Sequence, residues 1–124
     1  MPLCGITHTG AWMVLLVVVA NIADIGSSYS DLARAIAIQP DGKILVAGVS
    51  NVSGSNDFAV VRYNSYGSLD GSFGSGGKVT TDFGSSDNDQ AYAIALQSDG
   101  KILVAGYSYN SVSSIYDFAV VRYR

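Results

Sequence analysis

Few residues of this 124-residue sequence are of the types that perform chemistry. His8 is the only histidine and Cys4 the only cysteine, so no intramolecular disulfide can form. A Ser-His-Asp triad uses histidine as its proton carrier, and a histidine-based metal site needs several such ligands. With a single histidine, the sequence does not support a catalytic triad or a histidine-based metal site. We therefore predict no catalytic residue, no cofactor and no enzymatic activity.

An acidic stretch, DFGSSDND at 82–89, supplies the candidates for a metal site: Asp82, Asp87 and Asp89. Oxygen ligands in a flexible loop suit Ca²⁺. The spacing does not match the EF-hand loop, D-x-[DN]-x-[DN]-G followed by glutamate. An aspartate at a turn also accepts hydrogen bonds from the backbone. Calcium binding and a local structural role are therefore both open for these residues.

Three tyrosines, Tyr107, Tyr109 and Tyr116, flank a polar loop near the end of the sequence. Aromatic rings grouped on a surface can stack on a sugar or anchor a protein partner. Tyrosine is also common in β-strands, where it packs well against its neighbours. The pattern predicts a glycan or protein ligand for these residues, with strand packing as the alternative.

The amino-acid composition of the chain limits the classes of protein to which it can belong. Apolar residues make up 48% of the chain and charged residues 14%, which fits one globular domain and not a disordered chain. The formal net charge is −3, and the seven basic residues are scattered. Because phosphate neutralisation needs clustered lysines and arginines, we predict no nucleic-acid partner.

An apolar run, AWMVLLVVVA, occupies residues 11–20. It is shorter than the ~20 residues that a helix needs to cross a membrane, so we predict no membrane span. Its length fits the core of a secretory signal peptide, although no lysine or arginine precedes it. Valine-rich runs also form buried strands. Residues 1–20 are thus either a signal peptide or an N-terminal apolar strand.

The rest of the chain is organised around a stretch that occurs twice. Residues 31–50 and 89–108 lie 58 positions apart and are identical at 15 of 20 positions. The block DFAVVRY follows at 57–63 and again at 117–123, at an offset of 60. Self-similarity at such a period is the signature of a repeat architecture. The two extra residues fall in a polar loop, as is usual for a surface insertion.

Both copies have the pattern of short strands. In AYAIALQ, at 91–97, the alternation predicts Ala91, Ala93 and Ala95 on one face and large residues on the other. Neither face is polar, so such a strand must be covered on both sides. An Asp-Gly pair then separates two apolar runs, which predicts a hairpin with a type I′ turn.

Two further strands complete the pattern of a copy. FAVVRY at 58–63 and KVTTDF at 78–83 both alternate as strands do. The recurring Arg62 is predicted to pair with an aspartate such as Asp57 or Asp82. Four short strands in about 60 residues, apolar on both faces, favour an all-β fold of β-propeller-type blades. We expect about two four-stranded antiparallel repeats, which make an incomplete propeller.

The motifs QPDGKILVAG, DFAVVRYN and GSLDGSFGSGGKVTTDF together resemble the delta-60 repeat of bacterial proteins. The resemblance covers about residues 24–124, which divide into repeat 1 at 24–81 and an incomplete repeat 2 at 82–124. It implies a β-propeller-type repeat of unknown function, often found in large secreted or cell-surface proteins. The family supplies no catalytic residues that could be carried over.

These observations predict a non-enzymatic repeat segment of an exported or cell-surface protein, with a structural or binding role. A carbohydrate- or calcium-binding module is the alternative. Propellers have about four to eight blades, whereas this chain has fewer than two full copies. We therefore expect other copies of the repeat as partners, either in a parent chain or by self-assembly.

Overall fold

A computed structural model describes residues 23–25, 30–51, 54–84 and 88–124. Within these ranges the chain forms seven β-strands and no helix, which confirms the all-β prediction. Residues 1–20, predicted as a signal peptide or a strand, lie outside the described residues. The strands are β1 (Asp31–Ile38), β2 (Ile44–Asn51), β3 (Asn56–Tyr63), β4 (Lys78–Thr81), β5 (Asn88–Leu96), β6 (Ile102–Asn110) and β7 (Ile115–Tyr123).

The strands form two antiparallel sheets, one of four strands in the order β1-β2-β3-β4 and one of three in the order β5-β6-β7. Each strand pairs with the next one in the chain, as in a propeller blade. The second sheet repeats the register of the first. Val46 pairs with Val61 in the first sheet, and the equivalent Val104 pairs with Val121 in the second. The fold class of blade-like repeats is therefore confirmed.

The predicted Asp-Gly hairpin forms in both sheets, but the type I′ turn is wrong. In the first sheet, Gly42 N donates to Gln39 O (2.9 Å) and Gln39 N donates to Lys43 O (2.8 Å), so Pro40 and Asp41 are the central residues. Gly42 has a φ of +90°, whereas Asp41 has no positive φ. The proline ring fixes φ near −65°, which suits the first central position of a type I turn. The left-handed residue is the glycine that follows, as in a bulged hairpin loop.

A β-bulge in β5 reverses part of the predicted face pattern. Ala91 pairs with Gly106, but Ala93 pairs with the preceding residue of β6, so Tyr92 is an extra residue. Ala91 and Ala93 therefore lie on opposite faces, and the prediction that they share one is wrong. A Cβ on Gly106 would lie only 1.9 Å from Gln90 O, so the close approach requires glycine. β1 carries the same bulge.

The core lies between the two sheets. Phe58 and Val60 of β3 are fully buried, as are Ile102 and Val104 of β6, and all four belong to one apolar cluster. The first sheet therefore packs one face against one face of the second. Residues 58–61 of β3 are all buried, so this strand is covered on both sides. The same prediction is wrong for 91–97, where Tyr92, Ala93 and Ala95 of β5 are exposed.

Candidate functional site

Three carboxylates from three segments meet where the two sheets join. Asp57 lies on β3, Asp82 directly follows β4, and Asp89 lies on β5. Each of these residues, here called the acidic trio, offers one carboxylate oxygen, and the three oxygens lie within 4.8 Å of one another. Ca²⁺ binds oxygen ligands at 2.3–2.6 Å, so two ligands of one ion are at most about 5 Å apart. The acidic trio therefore has dimensions that suit a calcium ion.

Asp89 is fully buried and accepts two hydrogen bonds. Ser108 Oγ donates to its Oδ1 (2.5 Å), and Phe83 N donates to its Oδ2 (2.9 Å). In the first copy the equivalent hydroxyl and backbone N–H donate to Asp31 at the same two distances. The local structural role that the sequence left open is therefore confirmed for this repeated aspartate, which ties the preceding loop to its blade.

Asp82 is exposed, and its Oδ1 accepts a hydrogen bond from Gly84 N (2.9 Å). Its side chain therefore also caps a local turn. Among the described residues no hydrogen bond reaches the second carboxylate oxygen, and the exposure of Asp82 leaves this oxygen accessible from solvent.

Asp57 stands in a different environment from its two neighbours. Its side chain is only 5% exposed, and its Oδ1 is buried without a hydrogen-bond partner. Burial, followed by the negative charges of Asp82 and Asp89, raises the pKa of Asp57 from 3.8 to about 6. None of the ion pairs among the described residues includes Asp57. Its charge is therefore uncompensated within the described chain.

Of the three metal candidates from the sequence, Asp82 and Asp89 are brought together, whereas Asp87 lies outside the described residues. The sequence analysis missed Asp57 as the third member of the acidic trio. Its signal was available in the repeated block DFAVVRY, where an aspartate directly precedes four apolar residues. An aspartate at this position places a charge at the edge of a buried strand, where an unpaired charge is costly.

Arg62 forms an ion pair with an aspartate, as predicted, but its partner is Asp70 and neither Asp57 nor Asp82. Arg62 Nε pairs with Asp70 Oδ2 (2.8 Å), and Lys43 Nζ pairs with the same oxygen (2.8 Å). Ser72 N and Oγ donate to Asp70 Oδ1 (3.0 and 2.6 Å). The hydrogen bond from Lys43, followed by those from Ser72, holds the pKa of Asp70 below its ordinary value. The buried Asp70 thus ties the glycine-rich loop between β3 and β4 back onto its blade.

The three tyrosines named from the sequence do lie together. The Tyr116 ring is 5.0 Å from that of Tyr107 and 4.6 Å from that of Tyr109, between centroids. Tyr92, which the sequence analysis did not name, stacks on Tyr107 at 5.8 Å, and the Arg34 guanidinium lies 4.4 Å from the centre of the Tyr92 ring. These four tyrosines form what we call the tyrosine patch. The first copy has no tyrosine at the equivalent positions.

A family model described as "Domain of unknown function (DUF5122) beta-propeller" matches residues 39–73 and 97–124, about half of the chain. The matched segments both begin in the Asp-Gly hairpin and extend through the third strand of each sheet. No curated protein and no solved structure matches the chain. In the part of the chain that the structure describes, no helix is long and apolar enough to cross a membrane.

Proposed function

The chain belongs to the DUF5122 family of β-propeller domains, and we propose that it is a non-enzymatic blade module that assembles with further copies of the same repeat. The observation that carries this proposal is exposed apolar surface on the outer face of each sheet, at Phe118 and Val120 on the second sheet and at Ile36 and Ile38 of β1 on the first. These two faces are equivalent to the two faces that pack together inside the chain.

The outer face of the second sheet repeats residues that the first sheet buries. Phe58 and Val60 are 0% exposed, whereas the equivalent Phe118 and Val120 are 101% and 62% exposed. The strand sequence is identical in the two copies, so the difference lies in what covers each strand. The second sheet covers Phe58, and a further sheet of the same kind would cover Phe118 equally well.

The first sheet presents the matching surface. Ile36 and Ile38 are each 67% exposed, whereas their equivalents Ile94 and Leu96 pack against the core cluster. A shallow groove of about 290 Å³ is lined by Ala33, Arg34, Ala35, Ile36 and Val46. The face that the second sheet uses to cover Phe58 is therefore available on the first sheet to cover the Phe118 of another copy.

Contact between these two unlike faces is head-to-tail. Such a heterologous contact generates a closed ring when the rotation closes and an open filament when it does not. Propellers of about four to eight blades close, and this chain contributes about two blades. The expected assembly is therefore a ring of roughly two to four chains, built on the junction already present within one chain.

Sedimentation velocity of the full chain over a range of concentrations tests this proposal. We expect a discrete oligomer with the circular dichroism of a β protein. Phe118→Lys places a charge in the proposed contact and should give a folded monomer. Val112→Lys is the matched control, because Val112 is 90% exposed in the loop before β7, and it should leave the oligomer intact. A folded wild-type monomer at every concentration, or an oligomer that survives Phe118→Lys, would overturn the proposal.

We also infer that the module is a delta-60 repeat of an exported or cell-surface protein. The repeat motifs and the apolar run at 11–20 support this inference. Expression in a bacterial host with N-terminal sequencing of each cell fraction tests it. Exported protein that lacks about the first 20 residues would agree, and an intact N-terminus in the cytoplasm would contradict it.

A carbohydrate-binding role is a second candidate, favoured by the tyrosine patch. The patch is particular to the second copy, and its Tyr116 is 67% exposed, which leaves this ring accessible to a ligand. Titration calorimetry with a glycan panel should show heat that Tyr116→Ala removes. Tyr66→Ala is the control, because Tyr66 is 83% exposed elsewhere and should leave the heat unchanged. No heat with any glycan would remove this candidate.

A further inference from the structure

We propose that the acidic trio of Asp57, Asp82 and Asp89 binds a calcium ion that joins the first sheet to the second. The site lies within one chain and does not depend on assembly. It differs from the metal site suggested by the sequence, because its central ligand, Asp57, comes from the other sheet.

The buried side chain of Asp57 is the first reason for this proposal. A buried carboxylate is normally hydrogen-bonded or paired with a cation, because burial of an unpaired charge is costly. Asp57 is 5% exposed, its Oδ1 has no partner, and carboxylate oxygens of Asp82 and Asp89 lie within 4.8 Å of one of its own. A cation placed among the three oxygens would compensate the buried charge of Asp57 and remove the repulsion between the carboxylates. Hydrogen bonds from Ser108 and Phe83 already orient Asp89 in the position of a ligand.

The ligand type of the acidic trio, three carboxylates from separate segments of the chain, favours calcium over magnesium. Three oxygens within 4.8 Å of one another can all reach one Ca²⁺, whose ligand distances of 2.3–2.6 Å allow separations up to about 5 Å. Mg²⁺ requires ligands at 2.0–2.1 Å in near-ideal octahedral geometry, and it is usually held by one or two carboxylates together with substrate phosphates and water. Ca²⁺ also accepts irregular sites completed by backbone carbonyls and water.

The position of the site gives the ion a structural role. Asp57 belongs to the first sheet, Asp89 to the second, and Asp82 to the connection between them. An ion held by all three would therefore fix one blade against the next. Asp24, Asp31 and Asp117 occupy the equivalent positions at the two uncovered ends. If chains assemble head-to-tail, as in the proposed function, these residues would form the same site between chains.

The test is thermal and urea unfolding of the full chain with Ca²⁺, with Mg²⁺ and with neither, at equal ionic strength. When free Ca²⁺ is 100 times its Kd, the equilibrium constant for unfolding should fall about 100-fold. Calorimetric titration of the dilute chain should show one site. Mg²⁺ at the same concentration should have a much smaller effect.

Three variants separate a specific site from general screening of charge. Asp57→Asn keeps the shape of the side chain and should weaken Ca²⁺ affinity at least about tenfold, since loss of even an indirect partner costs 10- to 100-fold. Asp82→Asn should do the same, and because Asp82 is exposed this variant should fold. Asp41→Asn removes the same charge from an exposed hairpin turn and should respond to Ca²⁺ as the wild type does.

Two results would overturn the proposal. One is equal stabilisation by Ca²⁺ and Mg²⁺, or none by either. The other is a Ca²⁺ response that survives unchanged in both Asp57→Asn and Asp82→Asn. Neither result depends on the oligomeric state, because Phe118→Lys can be used as the background in every titration.

Discussion

Truncation of one phenylalanine in each copy measures how much the junction between the sheets stabilises the fold. Phe58 and Phe118 occupy equivalent positions in identical strands, but the first is 0% exposed and the second is 101% exposed. Removal of a buried phenylalanine side chain costs about 3–5 kcal/mol through lost burial and the remaining cavity. The edge-on contact of Phe58 with Phe83, at 5.1 Å between ring centroids, places the expected value toward the upper part of that range.

Phe58→Ala should therefore increase the equilibrium constant for unfolding roughly 160- to 4,700-fold, at about 1.36 kcal/mol per factor of ten. Phe118→Ala should change the free energy of unfolding of a single chain by less than about 0.5 kcal/mol, as is usual for surface positions. The assay is urea denaturation followed by circular dichroism, at dilutions where sedimentation shows single chains. Because both variants remove the same atoms, differences in the unfolded state largely cancel.

The same pair also reports on assembly. At concentrations where chains associate, Phe118→Ala should weaken the association and lower the apparent stability, since any partner that binds the native state stabilises it. A loss of less than about 1 kcal/mol in Phe58→Ala would refute the junction as the main core. Equal losses in the two variants at high dilution would refute the assignment of Phe118 to an uncovered face.

Three further predictions concern the backbone, an ion cluster and a contact between sheets. Gly106→Ala should destabilise the fold by about 1–3 kcal/mol, because the added Cβ would lie 1.9 Å from a backbone oxygen. Gly71→Ala is the control, since no atom lies within 4 Å of its added Cβ, and it should change the free energy of unfolding by less than about 1 kcal/mol. Urea denaturation measures both changes. The pKa of Asp70 in the folded state lies below its ordinary 3.8. The stabilisation that the Asp70 carboxylate gives is therefore complete above pH 3.8 and is lost as the pH falls through the folded-state pKa. The urea midpoint of the wild type should drop in acid more than that of Asp70→Asn. Tyr123→Phe removes the 2.7 Å hydrogen bond to Thr81 Oγ1 and should lower the free energy of unfolding by about 0.5–1.5 kcal/mol, measured in the same way.

The strands could be predicted from the sequence because alternation and repetition both mark them. The residue at which β4 ends could not be predicted from alternation. The alternation of KVTTDF predicts a strand through Phe83, but β4 ends at Thr81. Phe83 leaves the ladder because its N–H donates to Asp89 and its ring packs on Phe58, both of which belong to other elements. Similarly, no alternation pattern predicts the extra Tyr92 in β5, because the bulge is matched to a glycine on the neighbouring strand.

The two candidate sites differ in how far apart in the sequence their residues lie. Tyr107 and Tyr109 share a strand, and Tyr116 follows across one short loop, so local reasoning was enough to group them. The acidic trio required knowledge of which face of one blade meets the next. Asp57 is 25 residues from Asp82 in the chain, and only the packing of the sheets brings them together.

Identical sequences in the two copies show why burial could not be predicted. Every residue of DFAVVRY is the same at 57–63 and 117–123, yet the first block is largely buried and much of the second is exposed. The sequence of a strand determines which of its faces is apolar. Whether that face is buried depends on a neighbouring sheet, which in a repeat protein belongs to another copy of the repeat. The charge on the strand follows the same rule, because Asp57 is enclosed only where a second blade packs beside it. Cation binding and blade packing should therefore be coupled, so that in the presence of Ca²⁺ loss of either the phenylalanine or the aspartate weakens the same junction.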